Sequence, residues 1–233
     1  MHDITGEPMS TSDFPQFTIR VMNIGIAAGV RALSVTHCGE LGWVLYIPNE
    51  VAQSVYERIV KAGQEFSLTH AGYYTLRQLR IEKFYVYWGE DINPKVTPVE
   101  CGRSFRVSFE KEFIGKEALL NQMKNGVRKR FVQLLVDRHD LDSDPWPQGG
   151  ETIYRNGVIA GRTTSAAYGF TLGCQICLGY IENSETGVTP EYITKGSYEV
   201  EIANSRFPTR VNLNSPTLPM ISSELGTHYL ATR

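Results

Sequence analysis

The string Tyr154-Arg155-Asn156-Gly157-Val158-Ile159 constrains the fold more than any other stretch. Asn-Gly between apolar runs supplies the two left-handed residues of a tight turn, so the chain reverses there as a β-hairpin. Further short extended runs lie around it: Phe131 to Val136, Gly161 to Thr164, Ile176 to Ile181, Tyr198 to Ile202 and Thr209 to Leu213. Short strands separated by turns predict a small antiparallel barrel or sandwich.

The preceding half mixes the two periods. Arg31 to Thr36 and Trp43 to Ile47 read as strands, and Asn49 reads as the N-cap of a helix. Val51, Val55, Ile59 and Val60 recur at helical spacing in it, with Gly63 as a stop. A second helical pattern starts near Ala71-Gly72 and holds Tyr73, Leu76, Leu79 and Arg80. Thr97 to Phe109 reads as extended, and Phe113 to Leu120 opens a helix that Asn125-Gly126 ends. Helices flanking a sheet are the simplest assembly, which makes the chain α+β. The character changes near Asn125 to Lys129. The expected organisation is an α/β segment over 1–127, a barrel over 128–216 and a disordered tail over 217–233.

Composition narrows the function. A net charge of −2 and a pI near 6.2 exclude a strongly basic nucleic-acid binder. No apolar run approaches the roughly 20 residues needed to span a bilayer. The opening stretch, with Asp3, Glu7 and Asp13, is neither a secretory signal nor an Arg-rich transit peptide. Cys174 and Cys177 form one CxxC without the second pair or His pair a zinc site needs, so no metal is assigned. Strand alternation puts Ile176 and Cys177 on opposite faces, and the cysteines read as buried thiols. His139 to Asp144 reads as a solvated acidic loop, and Arg128-Lys129-Arg130 as a solvated strand entrance.

Two features are less ordinary. Gly39-Glu40-Leu41-Gly42 places a carboxylate at a Gly-flanked turn. There it is either an exposed turn acid or a pocket-wall group matching paired N–H donors, as on the edge of a pterin. The block Tyr73-Tyr74, Arg77, Arg80, Glu82, Phe84, Tyr85, Tyr87, Trp88 suits a flat anionic ligand, or else an internal ion pair within core aromatics.

These features recur in an ordered series with Ala71 to Lys83, Tyr87 to Ile92, Thr97 to Gly102 and Phe113 to Leu119. The series resembles the folate-binding aminomethyltransferase family, the glycine-cleavage T-proteins and their relatives. Gly161 to Tyr168 resembles part of that family's C-terminal barrel. The wording is most similar to two mitochondrial branches. Leu45 to Pro48, Leu79 to Phe84, Val99 to Arg103 and Asp140 to Trp146 resemble the regulatory subunits of pyruvate dehydrogenase phosphatase. The dimethylglycine and sarcosine dehydrogenases come next.

The resemblance implies an aminomethyltransferase-like α/β segment, incomplete at its N-terminus, packed on a small C-terminal antiparallel barrel. On this reading the chain starts midway through the module, as a C-terminal fragment or an incomplete gene model. The acid that would orient the reacting amine falls before Met1, so no catalytic residue is assigned. The implied location is the mitochondrial matrix and the implied partner a catalytic phosphatase subunit. Tetrahydrofolate is the implied ligand, and FAD would enter only through an upstream domain. The cofactor-binding candidates are Glu40, Arg77, Tyr87 and Trp88. Glu40 matches the family's pterin-contacting Glu directly. The family's folate-contacting Arg falls on Leu76, with Arg77 one place off. One step is about 100° around a helix. That departure favours a non-enzymatic regulatory module over the tetrahydrofolate-binding half of a flavin-dependent dehydrogenase.

Overall fold

A computed structural model describes residues 1–215. They divide into two compact units, 1–76 and 77–215. The predicted tail over 217–233 lies outside the described residues.

The first unit opens with the short helix α1 (His2–Thr5) and holds one antiparallel sheet in the order β1-β2-β3. Its strands are β1 (Ile19–Ile24), β2 (Ala27–Ser34) and β3 (Trp43–Tyr46). The register pairs Ile19 with Leu33 and Ala32 with Leu45. Helix α2 (Ala52–Gly63) covers the inner face, where Val55 packs with Ile24, Ala27 and Val30. Asn49 is not a side-chain cap. Pro48 already holds the extended N-cap geometry, and Asn49 opens a 3₁₀ turn (Asn49–Val51) that runs into α2. Gly63 does not stop the helix either. It is the last helical residue, a 3₁₀ turn (Gln64–Phe66) follows, and Ser67 takes the left-handed position at φ 54°. Strand β1 escapes sequence periodicity because its exposed residues, Ile19 and Val21, are as apolar as its buried ones, Met22 and Ile24.

Helix α3 (Tyr73–Glu82) matches its sequence pattern, and the division between the units falls inside it. Thr97 to Phe109 is not extended. Thr97-Pro98-Val99-Glu100 closes a helical turn with reciprocal caps. The Glu100 N–H donates to Thr97 Oγ1 at 3.2 Å, and the Thr97 N–H donates to Glu100 Oε2 at 2.9 Å. A 3₁₀ turn (Ser104–Arg106) follows, and then α4 (Lys116–Asn125).

The second unit contains a closed antiparallel barrel in the order β4-β7-β6-β5-β8-β9. The strands are β4 (Lys129–Val136), β5 (Thr152–Arg155), β6 (Val158–Gly169), β7 (Cys174–Glu182), β8 (Tyr198–Ile202) and β9 (Ser205–Asn212). The short helix α5 (Pro190–Thr194) precedes β8 and packs Ile193 into the core. The turn between β5 and β6 is formed by Asn156 at φ 51° and Gly157 at φ 81°, the left-handed pair that Asn-Gly favours. Val132, Leu134, Cys177, Ile181 and Val200 fill one core. Phe131, Leu135, Ile176 and Leu178 face the other way, against Ile81 and Phe84. Strand β4 is therefore covered on both faces, which is why Phe131 to Val136 is buried without a break. Ile176 and Cys177 fall in opposite cores, as alternation requires. Among the described residues no helix is long and apolar enough to cross a membrane.

Candidate functional site

In the first unit, Glu40 is half-buried in the turn between β2 and β3. Gly39 before it is left-handed at φ 81° and donates its N–H to Thr36 Oγ1 at 2.8 Å. An open hollow of about 450 Å³ lies elsewhere in this unit, lined by Gly29, Arg31 and Leu45 through Pro48.

In the second unit, the end of α3 delivers Arg80 into the protein at 2% exposure. Its Nη1 donates to the Asp91 carboxylate and to the Tyr85 carbonyl, the latter at 2.8 Å. Its Nη2 donates to Glu90 Oε2 at 3.2 Å. Asp91 is fully buried at 0% exposure. Its carboxylate also accepts from the Tyr87 N–H at 2.8 Å, from Ser165 Oγ at 2.7 Å and from Thr164 Oγ1. The Asp91 carbonyl takes the Tyr180 hydroxyl at 2.7 Å. Burial pushes that phenol far above its ordinary value and keeps it a donor. One carboxylate thus joins α3, the turn after Tyr87 and strand β6. Two residues beyond Arg80, buried Glu82 accepts the Thr171 and Leu172 N–H groups, each at 2.7 Å. Gln133 of β4 donates to the Ile81 and Glu82 carbonyls at 3.0 and 3.1 Å. It thereby caps the open end of the helix.

Arg77 is half-buried and donates to the Glu90 carboxylate. The Tyr87 ring lies 5.9 Å from the Arg77 guanidinium and 5.3 Å from that of Arg80. Trp88 points outward at 66% exposure. The structure therefore brings Arg77 and Tyr87 together and leaves Trp88 on the surface. Glu40 belongs to the other unit. Of the two readings of the aromatic–arginine block, the internal ion pair describes Arg80. Asp91 lies in the Tyr87 to Ile92 motif, and nothing local in the sequence marks it as the partner of Arg80.

The basic run is not a solvated entrance throughout. Arg130 turns back and donates to the Val99 carbonyl at 2.8 Å, because the turn after Thr97 packs on the start of β4. The acidic loop folds on itself: Asp140 Oδ1 accepts the Asp142 and Ser143 N–H groups, which hold its carboxyl below the usual range. Burial raises the Cys101, Cys174 and Cys177 thiols, so they are not nucleophilic thiolates. Among the described residues no group of three His, Cys, Asp or Glu side chains can hold a metal ion.

Residues 1–111 match the GCVT N-terminal domain, and residues 129–217 match the glycine cleavage T-protein C-terminal barrel domain. The chain belongs to the glycine-cleavage T-protein family. Within that family it is 46% identical over 221 residues to the mitochondrial pyruvate dehydrogenase phosphatase regulatory subunit of Mus musculus, covering 91% of this chain and 25% of that protein. It is 33% identical over 225 residues to the mitochondrial sarcosine dehydrogenase of Mus musculus, covering 94% of this chain and 24% of that protein. The chain thus spans about a quarter of the length of these relatives. The crystal structure of the glycine cleavage system aminomethyltransferase T from Bartonella henselae superposes with a TM-score of 0.65 at 18% identity, over 81% of this chain and 51% of that one. That likeness is one of fold. It matches the T-protein architecture expected from the ordered motif series.

Proposed function

We propose that this chain is the T-protein module of a non-catalytic regulatory subunit that acts on a pyruvate dehydrogenase phosphatase in the mitochondrial matrix. The observation that carries this reading is the similarity gap: 46% identity to the regulatory subunit against 33% to sarcosine dehydrogenase, over nearly the same residues. The function is docking on the catalytic phosphatase subunit.

The side chains present do not fit tetrahydrofolate as a tight ligand. Its tail is anionic, and the helix position that would meet it carries Leu76, 37% exposed. The neighbouring cation, Arg77, is already committed to Glu90. The second reading, the tetrahydrofolate-binding half of a flavin-dependent dehydrogenase, is favoured by one observation: Glu40 is half-buried at its glycine turn. In that reading Glu40 meets the pterin edge.

Two measurements on the purified chain separate the readings. Sedimentation with a purified catalytic phosphatase subunit is expected to show a complex, and calorimetry with tetrahydrofolate weak or no heat. Tight folate binding abolished by Glu40→Gln, without complex formation, overturns the regulatory reading. Loss of one partner of a buried charged hydrogen bond costs about 2–5 kcal/mol, roughly thirtyfold or more in affinity.

A further inference from the structure

Arg103 and Arg130 meet no carboxylate among the described residues. Arg103 donates only to carbonyls: Phe84 at 2.7 Å, Cys101 at 3.2 Å and Gly102 at 3.4 Å. Its guanidinium lies 5.3 Å from the Phe84 ring centroid. Arg130 spends Nη1 on the Val99 carbonyl at 2.8 Å, and Nε and Nη2 have no partner among the described residues. Gly102 lies between them at φ 70°, and a Cβ there would come within 3.1 Å of Arg130 Nη2. The turn is thus shaped around the Arg130 guanidinium. The acidic group facing both cations is the Cys101 thiol, which burial keeps protonated. Burial lowers the pKa of both guanidiniums, and the Arg130 charge adds to the effect at Arg103.

Two half-desolvated cations without a counter-charge among the described residues are costly there. Neighbouring guanidiniums with free N–H groups form the fork that recognises a tetrahedral dianion. The geometry points to an oxyanion site at the Cys101-Gly102-Arg103 turn, where Arg103 and Arg130 clamp a phosphate group, free or carried as a phosphomonoester. A carboxylate would neutralise one cation and leave the other. The site stands on these side chains alone and is independent of the proposed regulatory role.

The test is a phosphate titration of the full chain followed by heteronuclear NMR, with ionic strength held constant by sodium chloride. Saturable shifts are expected at the Gly102, Arg103 and Arg130 amides and at the arginine Nε resonances. Arg130→Gln should weaken phosphate about tenfold or more, the loss of a charge-assisted donor pair. Arg130→Lys keeps the charge without the fork and should fall between. The amide dispersion of each variant reports its folding, and the Lys variant carries the test if the Gln variant does not fold. Doubly blocked phosphoserine binding more tightly than inorganic phosphate identifies a monoester ligand, and equal affinity identifies the free anion. Shifts that grow without saturation overturn the site, as does saturable binding that Arg130→Gln and Arg130→Lys leave unchanged.

Discussion

Arg80 and Arg130 are both arginines turned into the second unit, and their charges are met in opposite ways. Arg80 is 2% exposed and faces Asp91 and Glu90. Every oxygen of Asp91 is in turn satisfied by a named donor. Arg130 and its neighbour Arg103 are less buried and have carbonyl oxygens as their partners. A matched buried ion pair fixes architecture, because neither charge can be lost without stranding the other. Arg103 and Arg130 meet no carboxylate among the described residues, so losing either one strands no buried counter-charge there. The same residue type therefore reads as scaffold in one place and as site in the other.

The largest effect should come from breaking the matched centre. Asp91→Ala leaves the Arg80 charge buried and removes the acceptor for Tyr87, Thr164 and Ser165. A loss of about 3–5 kcal/mol is expected, the penalty of breaking a buried pair from one side. Urea unfolding with an unchanged m-value measures it. A loss below about 1 kcal/mol would mean that Arg80 finds another counter-charge and that the contrast with Arg130 is false.

Much of this was legible beforehand, unevenly and for physical reasons. The barrel announces itself because Asn156-Gly157 forces a turn and β4 is apolar on both faces. Helix α3 follows its period. Strand β1 does not, since its outward residues Ile19 and Val21 are apolar too. The turn after Thr97 reads as extended in the sequence, although Thr97-x-x-Glu100 is a capping-box pattern. In the site, the aromatic–arginine block and Glu40 were visible as unusual composition. The pairing of Arg80 with Asp91 spans 11 positions, set by a turn rather than by a helix face. Arg103 and Arg130 meet only because that turn packs on β4, where the Phe131 N–H donates to the Glu100 carbonyl at 3.0 Å. No local pattern encodes such a meeting.

An intermediate effect is expected in alkali, and it tests whether the thiol beside the arginines is neutral. Burial raises Cys101 above the ordinary thiol value of 9.0, and fully buried Cys177 well above it. Above that value the unfolded chain releases protons that the folded chain retains. Stability is therefore complete below about pH 9 and falls as pH rises, by up to about 1.4 kcal/mol per pH unit for each thiol that stays protonated. Cys177→Ala should flatten most of this slope and Cys101→Ala a smaller part, read from unfolding midpoints between pH 8 and 10. No change of slope in Cys101→Ala would mean that its proton is already lost and that the thiolate neutralises Arg103 and Arg130.

The smallest effect belongs to Arg130→Gln, and its smallness is informative. The substitution forfeits the bond to the Val99 carbonyl, a neutral acceptor, for about 0.5–1.5 kcal/mol. It also removes a half-buried charge and the repulsion that Arg103 feels from it. The two changes oppose each other, so in phosphate-free buffer at low ionic strength the net change should stay within about 1 kcal/mol. Adding phosphate should then stabilise the unsubstituted chain and not the variant, because a ligand of the folded state shifts unfolding by mass action. Thermal unfolding of both proteins with and without phosphate, at matched ionic strength, gives the four midpoints required. If Arg130→Gln destabilises as much as Asp91→Ala without phosphate, Arg130 is scaffold like Arg80. If the loss is small and phosphate distinguishes the two chains, the unmatched arginines are held for a ligand.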